Sequence, residues 1–229
     1  MMQPDRTTRR HHAQALLEGL HPRYYGEWSA DLAERAMQSP IGRRQLARAA
    51  LKRVPSLWTP DQERWQAWLA QEPWLAWPQA RVEAFARELG VLSLGPALRL
   101  AVEREVVLFL RQCLGVDALR QAQAHDPWKG KPPEAIRHMG QAVLQRGGRD
   151  VEALDASVLS RGIVEFLAHA ERSGPVLAAR LSCAFASVPP GPCTKESWLP
   201  TGTVAALLQE RAAHDMAMQM AEVTQEIDP

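Results

Sequence analysis

Apolar residues recur three and four positions apart along most of this chain, and almost nowhere do apolar and polar residues alternate. That period predicts helices and no sheet, and prolines and glycines mark where the helices stop. A weak helix is expected over 14–20, stopped by His21-Pro22, a second over 24–38, and a third over 41–54, ended by Pro55. Thr59, Pro60 and Asp61 make a start signal: a capping hydroxyl, a proline fit for the first turn, and an acid at the positive helix end. That helix runs to 71. Pro78 opens the next, to 89, with Gly90 as its left-handed stop. The strongest apolar face spans 95–114, where Leu98, Ala101, Val102, Val106, Phe109, Leu110 and Cys113 share one side.

A short helix follows over 116–124, then a loop through HDPWKGKPP at 125–133, then a helix over 134–145 stopped at Gly147-Gly148. The segment 154–170 is again amphipathic, and Gly162 within its stripe implies close approach by a neighbouring helix. Gly174-Pro175 starts another helix, 189–200 is irregular, and Thr201 or Thr203 caps a helix over 204–221, beyond which the end frays. The fold class is therefore all-α, a compact irregular body of about nine to eleven short-to-medium helices joined by proline-rich turns. Residues 1–22 form a basic, partly flexible segment, 23–221 one helical domain with a sub-boundary near 73–78, and 222–229 an acidic tail. No heptad persists across the breaks, which excludes a long coiled coil.

Charge changes this picture locally. The chain's 27 Lys/Arg and 26 Asp/Glu nearly cancel, which argues against a binder held to nucleic acid by bulk charge. Residues 1–53 nevertheless carry ten Lys/Arg against five Asp/Glu, and 195–229 carry two against six. Such asymmetry suits docking onto charged protein surfaces, or contact between the two ends of the chain. The three cysteines, with no CxxC, suit a reducing compartment. The polar, Arg- and His-rich start has no apolar signal core, and no apolar run approaches a membrane span. The expected location is the cytoplasm, without membrane insertion.

Candidate chemistry is sparse. His125, His138, His169 and His214 lie too far apart in sequence for a ligand set, and Cys183 and Cys193 have no partner pair. There is no GxSxG, GxxxxGK[ST] or GxGxxG. No catalytic residue, cofactor, metal or small-molecule substrate is assigned. Five of the eight tryptophans fall within 58–77. Trp65 and Trp68 share a helix face and suit core packing. Trp74 and Trp77, between two prolines, are either binding anchors or a plug closing the core. Arg43, Arg44, Arg48, Lys52 and Arg53 form a basic helix without an acid between Glu34 and Asp61. It is either a solvated face or a docking face for an acidic partner. Trp128, in the 125–133 loop, is either a lid or a contact point.

Several stretches carry a family resemblance. LGVLSLGPALR at 89–99, the apolar helix ending in LGVDAL at 114–119, the proline-flanked Trp128 with Pro132-Pro133, and GIVEFL at 162–167 with Arg180-Leu181-Ser182 together resemble the YscK/SctK proteins of bacterial type III secretion systems. The resemblance covers about residues 89–190. Before it, only scattered aromatics and the Pro22–Tyr25 region are similar, and the Met-rich C-terminal helix has no counterpart. It implies a helical, non-enzymatic accessory of the injectisome sorting platform, lying in the cytoplasm and peripheral to the inner membrane. Its implied partners are the cytoplasmic domain of the inner-membrane ring protein and the C-ring-like sorting-platform component. The family supplies no motif for partner-binding residues. The alternative is a helical DNA-binding regulator that sets the arginines of 43–53 on phosphates.

Overall fold

The structure is a computed structural model and describes residues 17, 19–57, 62–147, 150–188 and 193–227, with the backbone alone at 30, 56, 62, 146–147 and 218–227. Among the described residues it is all-α, without a strand. The α-helices are α1 (Ala30–Met37), α2 (Pro40–Arg53), α3 (Gln62–Gln71), α4 (Gln79–Ser93), α5 (Gly95–Leu98), α6 (Arg104–Leu114), α7 (Val116–Ala124), α8 (Glu134–Gly147), α9 (Val151–Ser173), α10 (Pro175–Ser182) and α11 (Thr203–Ile227). Short 3₁₀ turns stand at Pro22–Tyr25, Pro55–Leu57, Pro73–Ala76 and Cys193–Lys195. The helix expected over 14–20 falls largely outside the described residues, as do the start signal at 59–61, the stop at 148 and most of the basic segment 1–22. The chain forms two compact units, 1–78 with 202–229, and 79–201.

In the first unit, the helix expected over 24–38 is split. Gly26 takes φ +87°, where a side chain is strained. Ser29 then caps α1 by accepting from the Leu32 N–H. Ser39 repeats the device at α2, accepting from the Gly42 N–H at 2.9 Å, with Pro40 in the first turn. A side chain at Gly42 would collide with Ala36, so glycine lets α1 and α2 close into a hairpin. Leu46, Ala47 and Ala50 form the buried side of α2. The Tyr25 hydroxyl donates to the Leu17 carbonyl at 2.8 Å. α11 continues to Ile227 and touches the Pro73–Ala76 turn, where Gln209 Nε2 donates to the Gln71 carbonyl.

In the second unit, α4 and α9 form the central pair. Phe85 and Phe166 meet edge to face between them, ring centres 5.1 Å apart. Gly90 does not end its helix as expected: α4 continues to Ser93, and Gly90 is buried against the Val158 backbone. It serves close packing, not a left-handed stop. The expected single helix 95–114 is also broken, at 99–103. In an unbroken helix Leu98 and Leu110 would stand about 120° apart. The break re-phases the chain so that both enter one buried cluster with Val91, Leu94, Leu119, Leu154 and Val158. Leu100 and Val102 are left outside, the latter 84% exposed.

The segment 193–199 returns across α9, gripped by charged groups of that helix. Glu165, fully buried, accepts from the Ser197 hydroxyl at 2.7 Å and from the backbone N–H of Trp198 and Leu199 at 2.7 and 3.2 Å. Arg161 pairs with Glu165 at 2.9 Å, donates to the Glu196 carbonyl and lies over the Trp198 ring, 4.5 Å from its centre. Six residues beyond Glu165, Glu171 accepts from the backbone N–H of Cys193 and Thr194.

Candidate functional site

Successive residues of an α-helix turn by about 100°, so positions 44, 48 and 52 share one side. On α2 that side carries Arg44, Arg48 and Lys52, all exposed, beside Ile41, which is 72% exposed. No ion pair joins these three cations to an acid among the described residues. The stripe runs opposite the buried Leu46, Ala47 and Ala50. Arg43 stands apart from it: half-buried, its Nη1 donates to the Met37 carbonyl at 2.9 Å. It thereby satisfies the carbonyl end of α1. Of the three arginines singled out from sequence, two are presented and one is structural.

Near the end of α2 lies an open groove of about 360 Å³, lined by Arg23, Tyr24, Arg53 and Val54. The Pro22–Tyr25 turn supplies its first two residues. Arg53 reaches out of α2 and donates from Nη1 to the Arg23 carbonyl at 2.9 Å. The Arg23 guanidinium sits over the Tyr24 ring, 4.6 Å from its centre, and donates to the Tyr24 hydroxyl. Sequence reading missed this cluster, because thirty residues separate Arg23 from Arg53 and no local period links them. The only signal was the basic end of the helix itself.

The tryptophans sort differently. Trp74 and Trp77 are 4% and 6% exposed, so they are not surface anchors in this structure and take the core-plug role. Trp74 Nε1 donates to Glu72 Oε2 at 2.8 Å, which satisfies the indole in the interior. Trp65 is buried as well. Trp128 is half-buried; its backbone N–H donates to Asp126, which also accepts from the Gly130 N–H and pairs with Arg99 at 3.2 Å. That carboxylate shapes the 125–133 loop.

Among the described residues, no three His, Cys, Asp or Glu side chains gather as a metal would need, and no helix is long and apolar enough to cross a membrane. Burial lowers the Arg180 pKa to about 10, and burial, more than the neighbouring acids, raises the Cys193 thiol to about 11. Both serve the interior of the second unit and lie apart from the α2 stripe in sequence. Compared with protein-family models, curated proteins and solved structures, the chain matched none.

Proposed function

We propose that the chain is a non-enzymatic adaptor that docks protein partners on its helical surface, and that the partners are those of a type III secretion sorting platform. On this reading it lies in the cytoplasm and links the cytoplasmic domain of the inner-membrane ring protein to the C-ring-like component. The observation that carries the docking part is the α2 stripe: Arg44, Arg48 and Lys52 exposed in a row with no acid on their helix. Cations placed so steer association and fix register more than they add raw affinity.

The assignment to the secretion platform rests on the YscK/SctK resemblance of 89–190. Its residues are mostly interior: 89–98 are buried throughout, as are 162–167 and Arg180-Leu181. The resemblance is one of core pattern, and leaves the docking surface to be read from charge. The first unit carries twelve Lys/Arg against thirteen Asp/Glu, a balance that favours a local protein contact over a polyphosphate backbone.

Co-purification of the full chain with the two partner proteins tests the reading. The wild-type chain should retain both, and Arg44→Glu/Arg48→Glu, with helicity unchanged, should lose one. Retention of neither by wild type ends the adaptor assignment; a DNA complex weakening steeply with salt would put the regulator in its place.

A further inference from the structure

We propose that the 126–131 loop of the second unit is a preformed docking tip, on which Lys129 and Lys131 take an acidic, partly apolar segment of a protein partner. On the docking reading above, on which this rests, the tip holds the partner that the α2 stripe does not.

The tip is built around one carboxylate. Asp126 accepts from the backbone N–H of Trp128 and Gly130, and pairs with Arg99 at 3.2 Å. Arg99 is itself tied to the end of α7, donating from Nη1 to the Ala122 carbonyl at 2.9 Å. Two successive turns close the backbone: the Lys129 N–H donates to the Asp126 carbonyl and the Lys131 N–H to the Trp128 carbonyl, both at 3.1 Å. Pro127, Pro132 and Pro133 stiffen the two ends. Among the described residues Lys129 is the one non-glycine with positive φ, at +52°, and Gly130 follows at +80°. Glycine or asparagine suits that backbone better than lysine. A lysine held in a conformation that disfavours it points to use of its side chain.

Lys129 and Lys131 are exposed, and among the described residues their side chains make no ion pair or hydrogen bond. Asp126 is the one acid of 125–133, and its charge is met by Arg99. Glu134, at the start of α8, leaves the tip cationic even when its charge is counted whole. Half-buried Trp128, Pro127 and Pro132 leave apolar surface open on the same loop. Two cations release about two counterions, far short of the roughly six to ten phosphate contacts that hold a nucleic acid. A protein segment with acids next to apolar residues uses both parts of the tip. An ordered loop loses less freedom on binding than a loose one, and its lysines steer the approach.

Biolayer interferometry with the full chain tests this against the two partner proteins, the cytoplasmic domain of the inner-membrane ring protein and the C-ring-like component. Lys129→Glu/Lys131→Glu should weaken at least tenfold the partner that Arg44→Glu/Arg48→Glu leaves within threefold, while Lys129→Arg/Lys131→Arg stays within threefold of wild type. Asp126→Ala separates a built tip from loose charge. It removes a negative charge, so it would tighten an acidic partner held by charge alone; here it should weaken that partner at least fivefold with both lysines present. Circular dichroism and melting check that each variant is folded, and the exposed lysine pair decides the matter should the alanine variant not fold. Both partners kept by the glutamate pair, or a tighter partner with Asp126→Ala, overturns the tip. So does a DNA duplex bound more tightly than either partner and lost with the same lysines. If the wild-type chain binds neither partner, the docking reading fails and the tip with it. If the lysine variants keep both partners while Arg44→Glu/Arg48→Glu still loses one, the tip alone fails.

Discussion

Gly162 on α9 and Gly90 on α4 face each other across the central crossing of the second unit, close enough that a Cβ on Gly162 would lie 2.9 Å from the Gly90 nitrogen and closer still to the Ala86 carbonyl. The obstacle is backbone on both sides, so no rotamer change relieves it. Alanine at position 162 would add about 1 kcal/mol of helix propensity. Overpacking a crossing costs about 1–3 kcal/mol, and more where the backbone must move. Gly162→Ala is therefore expected to destabilise the protein by about 2 kcal/mol, read as a lower denaturant midpoint at unchanged slope. Unchanged or increased stability would mean the helices separate easily here.

That glycine was legible because it interrupts an apolar stripe, where a side chain would otherwise be expected. Gly90, in the same contact, was misread: a glycine after a helical pattern has the same local signature whether it stops a helix or packs it. The α2 stripe was visible from spacing alone. Arg43 shares its composition, yet lies about 100° from Arg44 and turns inward to Met37. Trp74 and Trp77 show the limit of local reading, since proline-framed aromatics look alike whether they sit outside or inside. The grip of Glu165 on 197–199 was illegible, because the acid sits in a helix that offers no hint of its partners thirty-odd residues on.

Glu165 should be the costliest polar position to change. Four donors converge on its two oxygens. Gln would remove the charge and turn an amide N–H₂ toward donors. Breaking a buried pair from one side costs about 3–5 kcal/mol, and Glu165→Gln is expected near the lower end. Arg161→Met should cost roughly half of that, since the carboxylate keeps three donors from the returning segment. Guanidinium unfolding of the two variants gives the order directly; the reverse order would show that Arg161, whose pKa burial already lowers, is the true anchor.

Trp74 distinguishes a core plug from a surface anchor. Truncating a buried tryptophan costs about 3–5 kcal/mol, and Trp74→Ala also removes the N–H that Glu72 accepts. A drop in melting temperature is expected before any change in partner binding is measurable at low temperature. Full stability with loss of a partner would restore the anchor reading.

Cys193 sets a pH dependence whose sign can be worked out. Its thiol is buried and its pKa is raised from 9.0 to about 11, first by loss of solvent and then by Glu171 and Glu196, with Arg161 opposing. The folded state thus keeps a proton that the unfolded chain gives up near pH 9. Protons held more tightly by the folded state make stability fall as pH rises, so this contribution is complete below pH 9 and is lost between 9 and 11. Arg180 acts in the other sense: its pKa, lowered from 12.5 to about 10 by burial, adds stability only above about pH 10. Cys113, whose pKa burial also raises from 9.0, acts in the same sense from pH 9, so it is the difference between Cys193→Ala and wild type that isolates the Cys193 share. Cys193→Ala, compared with wild type by urea unfolding at pH 8, 9 and 10, should flatten the decline between pH 9 and 10 while leaving the pH 8 to 9 difference small. Parallel curves would mean that the thiol ionises as freely in the folded protein as in the unfolded chain.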